Sequence, residues 1–501
     1  MHLYYVSVLA HLKAGSPLFS KYFFIRHPPP PYSLHYTILL WFTSFLSFVW
    51  AEKCMACLIL ACTALGFRFL ARSVGPNSGV MSLWIIPLSL SWPLFMGFHN
   101  YCLSLSFGLW ALGVWFRATR KRSPVLLVVF LLLIVLILFT HPVPLLFVLA
   151  IVAADVVLRM AQTRWRQPAT LPQLLASYRW DLVFAALAFC SLAYVALFIN
   201  RSSSEQDLTA HFSHAAYASE LARLSTLSVA TGTAATWVYR GALYAVLVLV
   251  FSLAWRGLRG RLRNVSSSAV AVLLLCAVAM IIVLPLLPRD MNGAQHFSDR
   301  LVICIWIAAI AAGSAGPAIR PRMRNGMAIA AVLLAIFAIG LANHFIRPTA
   351  DRLALIERAP VRLHKLGILL DAPIKEQNRS LTFDPYLRWA GARYFRRAQA
   401  VMLNSPWLDQ PWLLVGRRPN PLMDRFTPFE LDVPPSFQKH LLNSPADRRA
   451  LLSAIDLIVF VGKPQPDAPV PAPLLAGDAG RRWSCHQNVW YFVCEANGPS
   501  R

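Results

Sequence analysis

Arg117-Ala118-Thr119-Arg120-Lys121-Arg122 separates two long apolar runs, and three more arginine-dense stretches do the same. They are Arg159–Arg166 (RMAQTRWR), Arg256–Arg263 (RGLRGRLR) and Arg320–Arg324 (RPRMR). Pairs of hydrophobic segments, or one segment with a long polar loop, lie between them. Short loops rich in Lys and Arg stay on the cytoplasmic side of a bilayer, so these stretches give each span a direction. The turns at the opposite span ends carry His, Asn, Asp and Ser. Chemistry is therefore expected on the outer face.

Composition agrees. The chain has 501 residues, 57% hydrophobic and only 14% charged, against about 25% charged in a soluble domain. The formal net charge of +25 sits in turns rather than along one face, and no basic stripe is interleaved with stacking aromatics. Nucleic acid is excluded as a partner on that ground; the lipid bilayer is the expected one. Seven cysteines (Cys54, Cys57, Cys62, Cys102, Cys190, Cys276, Cys304) fall in apolar segments and read as packing. Cys54 and Cys57 form a CxxC with no second pair to complete a metal site. Cys485 and Cys494 bracket an aromatic run, where an oxidising compartment would let them clasp a hairpin.

Stretches of about 17–25 apolar residues can cross a bilayer. Candidates lie at 34–51, 54–72, 79–98, 101–117, 124–140, 142–159, 182–199, 238–255, 269–287, 301–318 and 326–346. The segment 34–51 poses a parity question: if it crosses, residues 1–33 are cytoplasmic, and if it is interfacial or re-entrant they are outside. The expected architecture is an α-helical polytopic membrane protein of about 10 spans plus one interfacial or re-entrant helix, with a C-terminal extracytoplasmic α/β domain. Its parts are an outer loop with that helix (1–53), the transmembrane helical domain (54–346) and the α/β domain (347–501). The apolar run Asp456–Val461 is the strongest strand of the last. Pro28–Pro31 forbids helix and enforces an extended path.

Four clusters gather polar groups at outer span ends. The densest is 288–300 (PRDMNGAQHFSDR). Asp290, Asp299 and His296 are the candidate catalytic groups there, and they offer ligands for a divalent cation. Arg289 and Arg300 suit a donor phosphate, which guanidinium holds bidentately. His99 and Asn100 occupy the turn Gly97–Tyr101, and His141 breaks the chain between two long apolar helices. Asp155 and Arg159, four residues apart, read as a helix ion pair. The fourth cluster is His2–Tyr32, including His27 and Tyr32.

In this fourth cluster the order Tyr4–Ala10, Gly15, Tyr22, Pro28–Tyr32 resembles the first outer loop of type C (GT-C fold) glycosyltransferases. Ala51-Glu52-Lys53 and Arg68-Phe69-Leu70-Ala71-Arg72 occupy the places of the next span's opening and end. The resemblance covers roughly residues 1–120 in order and the topology loosely. It implies that the loop is outside, that 34–51 is interfacial or re-entrant, and that the reaction is sugar transfer from a polyprenyl-phosphate donor to an envelope acceptor. Tyr32, Tyr36, Trp41 and Trp50 would flank the polyprenyl tail. The expected location is a bacterial cytoplasmic membrane. The alternatives are a multi-span transporter and a non-catalytic envelope scaffold.

Family members carry a transmembrane helix and then a catalytic Asp or Glu before this loop, whereas residues 1–51 contain neither Asp nor Glu. Three explanations stand: a start codon placed too far downstream, a truncated gene, or a non-catalytic relative or one using another group such as Asp290 or Asp299. The first carries an expectation: genomic DNA upstream of Met1 should hold an open frame encoding one hydrophobic span and then Asp or Glu. Stop codons immediately upstream would remove it.

Overall fold

The apolar run Leu3–Leu9 is buried on every side of one helix, α1 (His2–Lys13). A helix apolar all round needs partners all round. After α1 the chain turns at Gly15, where a positive φ of 73° suits a residue without Cβ. It continues through α2 (Pro17–Tyr22) into a short strand, β1 (Phe23–Ile25). The computed structural model describes residues 2–95, 97–166, 170–202, 234–261, 267–286, 297–358, 363, 366–371, 392–403, 415–418, 444–461, 482–487 and 491–497. Its contacts divide the chain into two units. One comprises Pro31–Thr37 and Val49–Asn343; the other comprises Met1–Pro30, Ile38–Phe48 and His344–Arg501.

The first unit is a helical bundle. In chain order its helices are α3 (Ser33–Thr43, shared between the units), α4 (Phe48–Val74), α5 (Ser78–Leu83), α6 (Ile85–Ser89), α7 (Trp92–Phe95), α8 (His99–Lys121) and α9 (Pro124–Thr140). These are followed by α10 (Pro142–Arg166), α11 (Leu171–Ser177), α12 (Arg179–Ser202), α13 (Ala234–Arg261), α14 (Ser267–Val283), α15 (Phe297–Gly313) and α16 (Pro321–Arg358). Among the described residues, six of these helices contain stretches long and apolar enough to cross a membrane, and further apolar helices are shorter. Their outward faces are what hydrocarbon requires. On α9, Val125, Val128, Leu132 and Val135 form one exposed row at helical spacing, and Ile329, Val332, Leu333 and Ile336 repeat it on α16. Apolar rows of this extent on a soluble protein would aggregate; a bilayer accommodates them. This is a helical membrane protein with a small sheet.

Two expected spans take another form. The segment 79–98 is three short helices, and proline explains each break. A proline ring clashes with the carbonyl four residues earlier. For Pro87 that residue is Leu83, the end of α5; for Pro93 it is Ser89, the end of α6. The segment 34–51 also divides. Its first piece, α3, has 11 residues, about 16 Å of helix against roughly 30 Å of hydrocarbon. Thr43 and Ser44 close it by donating their hydroxyls to the Leu40 and Trp41 carbonyls.

The arginine-dense segments meet at one end of the bundle. Gly75 and Gly257 both touch the Ala315 backbone, where a Cβ on either would collide. Asn77 clamps the same turn, donating its amide to the carbonyls of Gly316 and Pro317 at 2.9 Å. Arg159 bridges two helices: Nε lies 3.0 Å from Asp155 Oδ2 and Nη1 lies 2.7 Å from Asp181 Oδ2. The indole of Trp115 donates to the same Asp155 oxygen at 2.9 Å. The helix ion pair read from spacing is thus the core of a three-helix network.

In the second unit a five-stranded sheet has the order β3-β2-β5-β7-β6. The strands are β2 (Leu366–Asp371), β3 (Val401–Met402), β5 (Leu457–Val461), β6 (Arg482–Gln487) and β7 (Tyr491–Asn497). β2 pairs in parallel with β3 and β5; β7 is antiparallel to β5 and β6. The apolar run 457–461 is the central strand, as suits a strand buried on both faces. Cys485 and Cys494 stand opposite each other on β6 and β7 and are joined by a disulfide. The start of the chain completes this unit. β1 pairs antiparallel with β4 (Val415–Arg417). The Tyr4 hydroxyl accepts from Met402 N–H at 2.7 Å and donates to the Ala400 carbonyl at 3.3 Å, and the Tyr5 hydroxyl accepts from Val415 N–H.

Arg159 carries the expected measurement here. Arg159→Met leaves Asp155 and Asp181 without their shared cation and should cost about 3–5 kcal/mol. Unfolding of the detergent-solubilised protein, followed against wild type, measures it. A variant as stable as wild type would show the network to be dispensable.

Candidate functional site

The opposite end of the bundle holds a second group of buried polar side chains. The local reason begins at His141. Pro142 and Pro144 cannot donate a backbone hydrogen bond, so α10 starts there, and the His141 ring caps it: Nδ1 accepts from Val143 N–H at 3.1 Å. The His141 N–H closes α9 by donating to Ile137, and its carbonyl accepts from the Ser104 hydroxyl at 2.9 Å. The ring therefore sits, 1% exposed, in a turn fixed from three sides.

Around it stand Tyr32, Tyr101 and Arg300. Arg300 Nη1 lies 3.0 Å from His141 Nε2, and the Tyr32 hydroxyl is 3.2 Å from the same nitrogen. The Arg300 guanidinium also bonds the Tyr32 side chain and lies 4.2 Å over the Phe98 ring. Its position is set by Tyr101, whose hydroxyl donates to the Arg300 carbonyl. Next to this group, Gly97 takes a positive φ of 76° to end α7. This turn delivers His99 and Asn100 to the first turn of α8, both buried. The His99 ring is 6.0 Å from that of His35, which packs against Tyr36 at 5.0 Å. Glu52 is close enough to act on His99 electrostatically.

Charge states follow from these contacts. A neutral imidazole has one lone pair and one N–H. With His141 Nδ1 accepting from the Val143 amide, the proton is on Nε2 and is donated to the Tyr32 hydroxyl, with Arg300 beside the ring. Burial first, and Arg300 second, hold this imidazole neutral, well below its ordinary pKa. Burial raises the Tyr32 phenol to about 12 despite the opposing pull of Arg300, so it stays a hydroxyl. The ensemble offers a guanidinium, a phenol and a neutral imidazole in a dry setting. Such a set can bind one oxyanion and exchange one proton.

The structure brings together Tyr32, His99, Asn100, His141 and Arg300. His27 is exposed and belongs to the other unit. Arg289, Asp290 and His296 lie outside the described residues, as does the side chain of Asp299, whose backbone is in α15. Among the described residues no three His, Cys, Asp or Glu side chains stand close enough to hold a metal ion. Sequence reasoning passed over His35, Tyr101 and Glu52. The spacing Tyr32–His35–Tyr36 on entering a helix was the available signal for the first. The chain matches no known family and no characterised protein.

His141 gives a pH dependence. Its folded pKa is below the unfolded value of about 6.5, so its contribution is fully present above that pH. The contribution declines as pH falls from there towards the folded pKa, because only the unfolded chain takes up the proton. His141→Gln should flatten stability against pH between about 6.5 and 5. Thermal unfolding across that range is the check, and an unchanged slope would contradict the neutral assignment.

Proposed function

We propose that this protein is a membrane glycosyltransferase-like enzyme, of the type C kind, moving a sugar from a polyprenyl-phosphate donor to an envelope acceptor. The observation that carries the reading is Arg300, a guanidinium 6% exposed at the start of a helix, held against Tyr32 and His141. A lipid-linked phosphate needs a cation at the edge of the hydrocarbon, and guanidinium fits its oxygens. Under this reading Arg300, with Arg289, holds the donor phosphate. Asp290, Asp299 or His296 serves as acid or base, with a divalent cation where the carboxylates ligate one. The His end faces outward because the arginine-dense end remains cytoplasmic. The disulfide Cys485–Cys494 supports an extracytoplasmic second unit. The setting is a bacterial cytoplasmic membrane.

Transport is the second reading, favoured by the broken segment α5–α7, since interrupted helices line substrate sites in transporters. Against it, the buried polar cluster lies at one end of the bundle rather than at its middle.

The test is binding of a polyprenyl phosphate to purified protein in detergent, read by native mass spectrometry, with transfer of labelled sugar measured in parallel. Arg300→Met should weaken binding about tenfold or more, with Arg164→Met unchanged. Equal binding by both variants removes Arg300 from the site. Sugar counterflow in vesicles without any transfer replaces the enzyme by the transporter.

A further inference from the structure

At the arginine-dense end, two guanidiniums are tied to one serine, with that of Arg72 near enough to act on one of them, against their mutual repulsion. α4 and α8 approach closely because Gly113 has no side chain: a Cβ there would lie 2.4 Å from the Phe69 ring and 3.2 Å from the Leu70 backbone. The gap is filled by Phe69, whose ring stacks on Trp110 at 5.1 Å. Trp110 is itself fixed by a hydrogen bond from its indole to the Cys62 carbonyl at 3.2 Å. The Arg117 guanidinium lies on the Phe69 ring at 4.1 Å, and its Nε donates to the Ser73 hydroxyl at 3.0 Å. That hydroxyl donates in turn to the carbonyls of Phe69 and Gly113. Arg120 donates through Nη2 to the Ser73 carbonyl. The charged groups that act on Arg117 are Arg120 and Arg72, both cationic.

Like charges at such range repel, and a solvated surface would let flexible side chains spread apart. Here two of the three are tied to one serine. The ion pairs described on this end go to Arg159, and no described Asp or Glu pairs with Arg72, Arg117 or Arg120. Arg117 is half-buried while Arg72 and Arg120 are exposed, so the group opens outward from a fixed base. Its position, at the last turn of two apolar helices, is the level of lipid headgroups. Guanidiniums suit phosphate oxygens in that setting.

We infer that Arg72, Arg117 and Arg120 form a binding site for the phosphate of an acidic phospholipid at the arginine-dense end of the bundle. Phe69 is its platform and Ser73 its anchor. It is separate from the Arg300 site and does not depend on the proposed sugar transfer.

The experiment uses delipidated full-length protein in detergent, titrated with phosphatidylglycerol, phosphatidylcholine or inorganic phosphate, with retained adducts read by native mass spectrometry. Phosphatidylglycerol should bind at least about tenfold more tightly than phosphatidylcholine. Arg117→Gln/Arg120→Gln should abolish that preference, whereas Arg164→Gln/Arg166→Gln should leave it intact. If the double variant fails to fold, exposed Arg72→Gln alone should weaken retention severalfold, and Arg117→Lys alone should keep only part of it because lysine loses the stacked, bidentate geometry. Equal losses in both double variants would mean diffuse charge attraction and overturn the site. Binding of inorganic phosphate without phosphatidylglycerol would overturn its assignment to lipid.

Discussion

Hydrocarbon accepts and donates no hydrogen bonds, and the bundle is arranged around that constraint. Backbone groups in such a medium are best satisfied within helices, which make up most of the described bundle. Several hydroxyls in the interior return to nearby carbonyls or to one another, as Thr63 does with Ile59 and with Ser106 at 2.6 Å. Groups that cannot be satisfied so locally are driven to the ends. The two ends differ in kind. One gathers arginines around Ser73, Asn77 and Asp155; the other gathers imidazoles and phenols around His141 and one arginine.

Proline and glycine translate the constraint into shape. Pro87 and Pro93 cut one apolar segment into three, each cut falling four residues before the ring. Gly113 and Gly75 allow backbones and rings to approach where any Cβ would collide. Gly367 does the same in the sheet, where a Cβ would meet the Leu457 carbonyl at 2.6 Å and the Phe395 ring at 2.7 Å. The membrane-facing surfaces need no such precision. Rows of Val, Leu and Ile meet liquid chains, and packing there is not specific.

Much of this was legible before any coordinates. Arginine-dense turns separate apolar runs, so which residues share an end follows from alternation alone; His99, His141 and Arg300 fall together for that reason. The run 457–461 announced a buried strand because no polar residue interrupts it. Asp155 and Arg159 were visible by spacing, but Asp181 was not, since its approach depends on how α12 packs. The contribution of the first residues to the second unit was invisible. β1 has three residues and no alternation, and its partner lies some 390 positions later; nothing local encodes such a pairing. Tyr4 and Tyr5 looked like a membrane-loop motif; that their hydroxyls accept from the Met402 and Val415 N–H groups was not legible. The Arg72–Arg117–Arg120 group was also hidden. Its members sit in stretches that orient the chain, and only the phase of α8 against α4 shows which arginines converge.

The contrast between the two arginine sites follows from their surroundings. Arg300 is enclosed, and an enclosed guanidinium is tolerated only where acceptors and a π-face replace water. Tyr32 and Phe98 supply these, and the imidazole beside them must stay neutral so that no second cation faces Arg300. Arg117 rests on a comparable π-face, but its neighbours are two further cations open to solvent, so water and counter-ions offset the repulsion when no ligand is bound. An anion entering the first site must displace tight protein contacts, and discrimination between ligands is the consequence. At the second site an anion displaces only water and relieves repulsion, which makes binding tolerant of the rest of the ligand. A site of the first kind suits selection of one substrate. A site of the second kind suits a headgroup that the bilayer supplies in abundance.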